Sequence, residues 1–159
     1  MTDREFLRHA VATVSYRAAK ALRDAPATFS DFRAGESSRS AVEILAHMGD
    51  LFDWALSMAS GSPKWNNATP QAWESESTRF FQAVSAFDAF LASNVDTQYE
   101  LPRLFQGPVA DALTHVGQLT MLRRLHGARV RSESFNRAEI TIGRVGPEQV
   151  APDPRYEFD

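Results

Sequence analysis

Apolar residues recur every three or four positions in four long stretches of this chain, and this spacing constrains its fold more than any other feature. The spacing predicts four helices, over about residues 2–23, 38–60, 69–93 and 108–127. Strand signals are weak and confined to the sequence AEITIGRVG near the C-terminus. The pattern therefore predicts an all-α protein, a four-helix bundle. Two connections are longer than a minimal hairpin needs, so the topology could include a crossover.

Local signals mark several helix ends. The first two helices begin with a Ser or Thr followed three residues later by Glu, the spacing of a capping box, in the pairs Thr2–Glu5 and Ser40–Glu43. Gly61 is expected to end the second helix. Pro70 and Pro108 are expected at the first positions of the third and fourth helices. The segment before Pro108, residues 94–107, is expected to be irregular.

The chain of 159 residues is expected to form one domain over residues 1–150. After the fourth helix, AEITIGRVG has no obvious partner strand, so it is expected to pack on the bundle as a short extended arm or a helical turn. The last residues, 151–159, combine prolines with acidic side chains and are expected to be a disordered tail.

Composition narrows the classes of function. A net charge of −3 argues against a nucleic-acid partner, and no apolar run has membrane-spanning length. The first residues lack the order of a signal peptide, so a cytoplasmic location is expected by default. The chain has no cysteine, which excludes disulfides, thiolate metal ligands and a protein thiol nucleophile. Three tryptophans and eleven phenylalanines exceed what one small bundle must bury, which predicts a homodimer.

The fourth helix, VADALTHVGQLTMLRRLHG, carries an acid and an imidazole on a largely apolar surface. Asp111 and His115 are four residues apart, so both side chains can reach one metal ion. The alternative is a solvated polar stripe, and Leu119 and Leu122 interrupt that stripe.

A third ligand is expected from the second helix. His47 shares the apolar face of that helix, and a bundle brings inward residues of different helices together. Taken alone, a histidine at this position is more often a core residue with satisfied hydrogen bonds than a metal ligand. Asp50 and Gln118 are candidates for hydrogen bonds that orient the ligand side chains, although Asp50 could instead pair with an arginine of the fourth helix. His9 and His126 are expected to stay outside the site.

The segments AVEILAHMGDLFDWAL and DALTHVGQLTMLRRLHG together resemble the DinB/YfiT-like superfamily of metal-binding four-helix bundles, and the resemblance covers nearly the whole chain. It implies one histidine ligand from the second helix and a His-x-x-x-His pair from the fourth. His47 and His115 match two of these positions, and Asp111 replaces the third. Two histidines with one carboxylate are a known open metal triad, so we expect binding to be retained. The alternative is that Asp111 marks a subgroup without tight binding.

Gly117 lies inside the fourth helix, where glycine costs about 1 kcal/mol relative to alanine. We expect a close helix crossing beside it.

The resemblance implies a divalent ion (Zn, Ni, Fe or Mn) and a metal-dependent S-transferase that uses a low-molecular-weight thiol on a small-molecule substrate. The missing cysteine agrees with this, because the nucleophile would then come from the cofactor. The alternatives are a non-enzymatic metal-binding or stress-response protein and a metal-free structural bundle.

Overall fold

The computed structural model describes residues 1–159 and is mostly helical. Its helices are α1 (Asp3–Leu22), α2 (Ala41–Ala59), α3 (Trp73–Ala92), the single turn α4 (Leu101–Leu104) and α5 (Ala110–Leu125). The predicted four-helix bundle with a C-terminal arm is confirmed. None of the helices combines the length and apolar character that crossing a membrane requires.

The four long helices surround one core to which each contributes. Helix α1 packs on α3 and α5, and α2 packs on the same two helices. Consecutive helices α1 and α2 therefore lie across a diagonal of the bundle, as do α3 and α5. The long connections carry the chain across these diagonals, which is why minimal hairpins would not suffice.

The helix starts predicted from capping boxes are confirmed. Thr2 accepts a hydrogen bond from the backbone of Glu5 while the Glu5 carboxylate accepts one from the backbone of Thr2. Ser40 and Glu43 make the same reciprocal pair at the start of α2. Each box satisfies two backbone N–H groups that have no partner within the helix. Gly61, with a φ of 87°, takes the left-handed conformation just after α2 ends.

Helix α3 begins later than predicted. Its first residue is Trp73, three positions beyond Pro70, and residues 62–72 have no regular secondary structure. Side chains account for the delay, because they hold the backbone N–H groups of this segment in non-helical positions. The N–H of Ala68 donates to Asp50, and that of Gln71 donates to Glu76.

The prediction of an irregular chain up to Pro108 is also wrong in its second half. Helix α4 begins at Leu101 and continues through a π-helical turn, Phe105–Val109, directly into α5. Pro108 lies inside this turn. Proline has no N–H to donate, and its ring collides with the carbonyl four residues earlier in a regular α-helix. The wider π turn accommodates it, and such turns are frequent at functional sites.

The C-terminal arm is bound to the bundle. Ser132–Glu133 (β1) pairs antiparallel with Glu157–Phe158 (β2), so the small sheet forms there and not at AEITIGRVG. Buried Glu133 accepts hydrogen bonds from Tyr16 and Lys20 of α1 at 2.7 Å each, and Lys20 also reaches Glu157 at 2.8 Å. Burial, reinforced by the Glu133 carboxylate, raises the pKa of Tyr16. The expected tail at 151–159 thus contains an ordered strand.

A charged cluster joins α2 to α3. The Arg79 guanidinium contacts Glu76 at 2.8 Å and Asp50 at 3.0 Å, and both carboxylates are buried. A Cβ at Gly49 would lie 2.8 Å from the central guanidinium carbon, so the absence of a side chain there makes room for Arg79.

Arg79→Ala is expected to lower the free energy of unfolding by about 3–5 kcal/mol, because it leaves two buried carboxylates without a cation. Urea denaturation measures the change. Arg103→Ala is the control, since Arg103 is 60% exposed and its ion pair with Glu100 should contribute less than about 1 kcal/mol. Equal effects of the two substitutions would contradict the role assigned to Arg79.

Candidate metal centre

Helix α5 presents two of the predicted ligands side by side. Asp111 is the second residue of α5, directly after the π-helical turn, and His115 follows one turn later. The Asp111 Oδ1 and His115 Nε2 atoms are 3.5 Å apart. The spacing of four residues therefore directs both polar groups to the same side of the helix, as the sequence predicted.

Helix α2 brings the third predicted ligand to the same place. The His47 Nε2 atom lies 3.6 Å from Asp111 Oδ2. The His47 and His115 rings are 4.8 Å apart between centroids and perpendicular. One ligand atom from each of the three residues lies within 4.8 Å of the other two. The structure thus assembles the predicted group from two helices that are far apart in sequence.

The contacts of Asp111 with the two histidines, one through each carboxylate oxygen, have the spacing of ligands that share a divalent ion. Ligand atoms that bind one ion at about 2.1 Å lie roughly 3 to 4 Å from one another. The two contacts that involve Asp111 fall in this range, at 3.5 and 3.6 Å. Two imidazole nitrogens and a carboxylate suit zinc and other late first-row divalent ions.

Gln118 holds the His115 ring in the orientation that a metal ligand needs. Its side-chain carbonyl Oε1 lies 2.8 Å from His115 Nδ1. Because a carbonyl oxygen only accepts, Nδ1 carries the proton and donates, which leaves the lone pair of Nε2 directed towards Asp111. The structure therefore places Gln118 in the supporting position expected from the sequence.

His47 has a different setting, formed by residues that the sequence analysis missed. The Trp65 ring, from the loop after α2, packs edge-on against His47 with centroids 5.5 Å apart. Burial lowers the pKa of His47 most, and the positive charge of Arg39 and the neighbouring His115 lower it further, while Asp111 opposes them. The lowered pKa favours the neutral imidazole, the form that binds a metal ion.

Neither Trp65 nor Arg39 carries a periodic signal that would identify it. Trp65 lies in a polar loop, and Arg39 precedes the cap of α2. The one sequence feature that sets Trp65 apart is that it is a large aromatic residue among polar neighbours.

The site is open towards solvent on one side. The side chains of His47 and His115 are 18% and 10% exposed, whereas Asp111 is 48% exposed. A cleft of about 690 Å³ begins at His115 and runs between α5 and the segment before α2. Its lining combines apolar side chains, among them Met121 and Leu125, with the guanidinium of Arg39. The cleft leaves room for a small organic molecule beside His115.

Two expectations about the surroundings are wrong. Asp50 does not orient a histidine and pairs with neither arginine of α5, because α2 turns it towards α3, where Arg79 and the Ala68 N–H bind it. Gly117 is not at a close helix crossing: no atom lies within 4 Å of the position that a Cβ would take. It lines the cleft instead.

The two remaining histidines stay outside the cluster, as expected. His126 lies at the end of α5, between the rings of Phe29 and Phe32, with its Nε2 3.2 Å from the Thr28 hydroxyl. His9 is on α1.

Comparison with known proteins finds no family model, no curated protein and no solved structure that matches this chain.

Gln118→Leu is expected to weaken divalent-metal binding about 10- to 100-fold, because it removes the acceptor that orients His115. Isothermal titration calorimetry with Zn²⁺ measures the effect. Gln82→Leu, the same change at an exposed position of α3, is the matched control and should leave the affinity unchanged. Equal affinities of the two variants would show that Gln118 does not support the site.

Proposed function

We propose that this chain is a divalent-metal-binding protein of the DinB/YfiT-like superfamily and that its metal centre serves a low-molecular-weight thiol in transfer to an electrophilic small molecule. The observation that carries the metal assignment is the convergence of His47, Asp111 and His115 within 4.8 Å in a four-helix bundle. The helices that supply the two histidines are those that the resemblance implies.

Different residues of the chain would hold the ion, orient a ligand and bind the electrophile. His47, Asp111 and His115 would hold the ion, and Gln118 fixes the proton on the far nitrogen of His115. A bound divalent ion would hold the thiol sulfur and lower its pKa, so that the thiolate is available near neutral pH. The cleft beside His115 would hold the electrophile, with apolar walls for its body and the charge of Arg39 for an anionic group.

The thiol must come from outside the protein, since the chain contains no cysteine. Three protein ligands also leave at least one coordination position free, which a structural site with four protein ligands would not. A non-enzymatic metal-binding or stress-response protein would share this open position. Consumption of thiol in the presence of a panel of electrophiles separates the enzyme from that alternative.

The homodimer stays a prediction. The aromatic count supports it less than the sequence suggested, because only three of the eleven phenylalanines are exposed: Phe6, Phe105 and Phe158. The cytoplasmic location likewise stays a prediction.

Protein purified without an affinity tag is expected to contain about one divalent ion per chain, measured by elemental analysis. His47→Ala and His115→Ala should each abolish binding, whereas His9→Ala should not. Binding should also weaken as the pH falls below about 6, because protonated imidazole cannot bind a metal ion. Full occupancy in both ligand variants would overturn the assignment of the triad.

The cobalt-substituted protein is expected to bind thiols directly at the ion. Addition of 2-mercaptoethanol should change its visible spectrum and add a near-ultraviolet sulfur-to-cobalt band, since a coordination position is open. Ethylene glycol, in which a hydroxyl replaces the thiol, is the matched control and should have a much smaller effect. A spectrum insensitive to thiols and small anions would indicate a closed structural site and would remove the basis of the transferase proposal.

A further inference from the structure

A second pocket, of about 320 Å³, lies on the other side of α5 from the metal centre. It is bounded by α1, by α5 and by the segment that leads into the C-terminal arm. In an α-helix of 3.6 residues per turn, Thr120 and Arg124 point about 180° and 220° away from Asp111, whereas His115 is only about 40° away. The pocket and the metal centre therefore use opposite faces of one helix.

Positive side chains dominate the polar lining of this pocket: Arg17, Lys20, Arg124 and Arg131. Glu133 is the one acidic residue among those that line it. Its carboxylate already accepts hydrogen bonds from Tyr16 and Lys20. It makes no ion pair with any of the arginines, although its charge favours the charged form of Arg17 and so opposes the effect of burial on the Arg17 pKa.

Two of these cations form no ion pair within the chain. Lys20 is paired with Glu133 and Glu157, and Arg131 is paired with Glu157. By contrast, Arg17 makes no hydrogen bond or ion pair, and its guanidinium lies 4.0 Å above the Phe135 ring. Arg124 has only a 3.5 Å contact with the Ser132 hydroxyl.

The environment of Arg17 makes its lack of a partner costly. Burial lowers its pKa, which shows that the charged form is poorly solvated at this place. Stacking on Phe135 fixes the plane of the guanidinium and so pre-orients its remaining N–H groups. A fixed, poorly solvated guanidinium binds a carboxylate or phosphate more strongly than a mobile one at the surface.

We propose that this pocket binds a small organic anion, with its anionic head between Arg17 and Arg124 and its apolar part against Val116, Met121 and Val130. The apolar residues line the same pocket, so a ligand that combines an anionic head with an apolar body matches both parts. The volume is at the lower end of the range for small-molecule sites, which limits the ligand to one ring or a short chain. The proposal does not depend on the metal centre.

An NMR titration of the whole chain with three probes tests the proposal. Phenyl phosphate carries both features, benzoate carries a weaker anionic head on the same ring, and phenol carries the ring alone. Phenyl phosphate is expected to bind saturably and to shift the amide signals of residues 116–124 and 130–135. Benzoate should bind more weakly, and phenol should cause no saturable shift. The expected affinity should fall as salt is added, because ions screen the attraction.

Substitutions assign the binding to the pocket. Arg124→Gln and Arg17→Gln should each weaken phenyl phosphate binding about tenfold or more, since each removes a charge-assisted hydrogen bond. Arg103→Gln, the same change on exposed α4, is the matched control and should have little effect. Arg124→Gln also guards against the case in which Arg17→Gln disturbs the packing on Phe135. His47→Ala should leave the affinity unchanged, which separates this pocket from the metal centre.

Three results would overturn the proposal. They are the absence of a saturable shift up to about 10 mM phenyl phosphate, shifts confined to residues outside the pocket, and equal binding by the wild type and both pocket variants.

Discussion

Helix α2 is anchored to α3 by one half-buried cation, and the cluster of His47, Asp111 and His115 depends on that placement. Arg79 of α3 lies against α2 at Gly49, where any side chain would collide with it, and neutralises Asp50 and Glu76. Residues 47 and 49 point about 200° apart around an α-helix. Fixing the Gly49 side of α2 on α3 therefore turns His47 towards α5. The ionic cluster contributes no ligand, yet it determines which face of α2 can supply one.

The second constraint is the π-helical turn that precedes α5. A regular helix could not contain Pro108, because the ring would collide with the carbonyl of Leu104. The wider turn adds a residue to the helix and so changes the direction in which all later side chains point. Asp111 is the second residue after this turn, and its carboxylate reaches both histidines. The position of the carboxylate thus depends on how the chain accommodates one proline.

The features that the sequence predicted depend on residues close together in the chain. The features that it did not predict depend on residues farther apart. The four helices, the capping boxes and the Asp111–His115 pair depend on residues at most a few positions apart, and periodicity or spacing shows them directly. The start of α3, the partner of Asp50 and the contact of Trp65 with His47 depend on residues 5 to 29 positions apart that meet only in the folded chain. The contact of His47 with the α5 ligands is the one long-range feature that the sequence predicted, because a bundle brings inward residues of different helices together. Single-sequence patterns contain no comparable signal for Arg39.

Helix α5 separates two environments of opposite chemistry, and Gly117 lies at their boundary. One face carries the carboxylate and imidazole group, and the other faces the arginine-lined pocket. Gly117 and Met121 line both the cleft and that pocket. Glycine inside a helix costs about 1 kcal/mol relative to alanine, and no packing within the chain offsets this, since a Cβ would meet no atom within 4 Å. The backbone of Gly117 therefore forms part of the wall of both cavities. The cost is therefore explained if the wall between the cleft and the pocket must stay free of a side chain at this position.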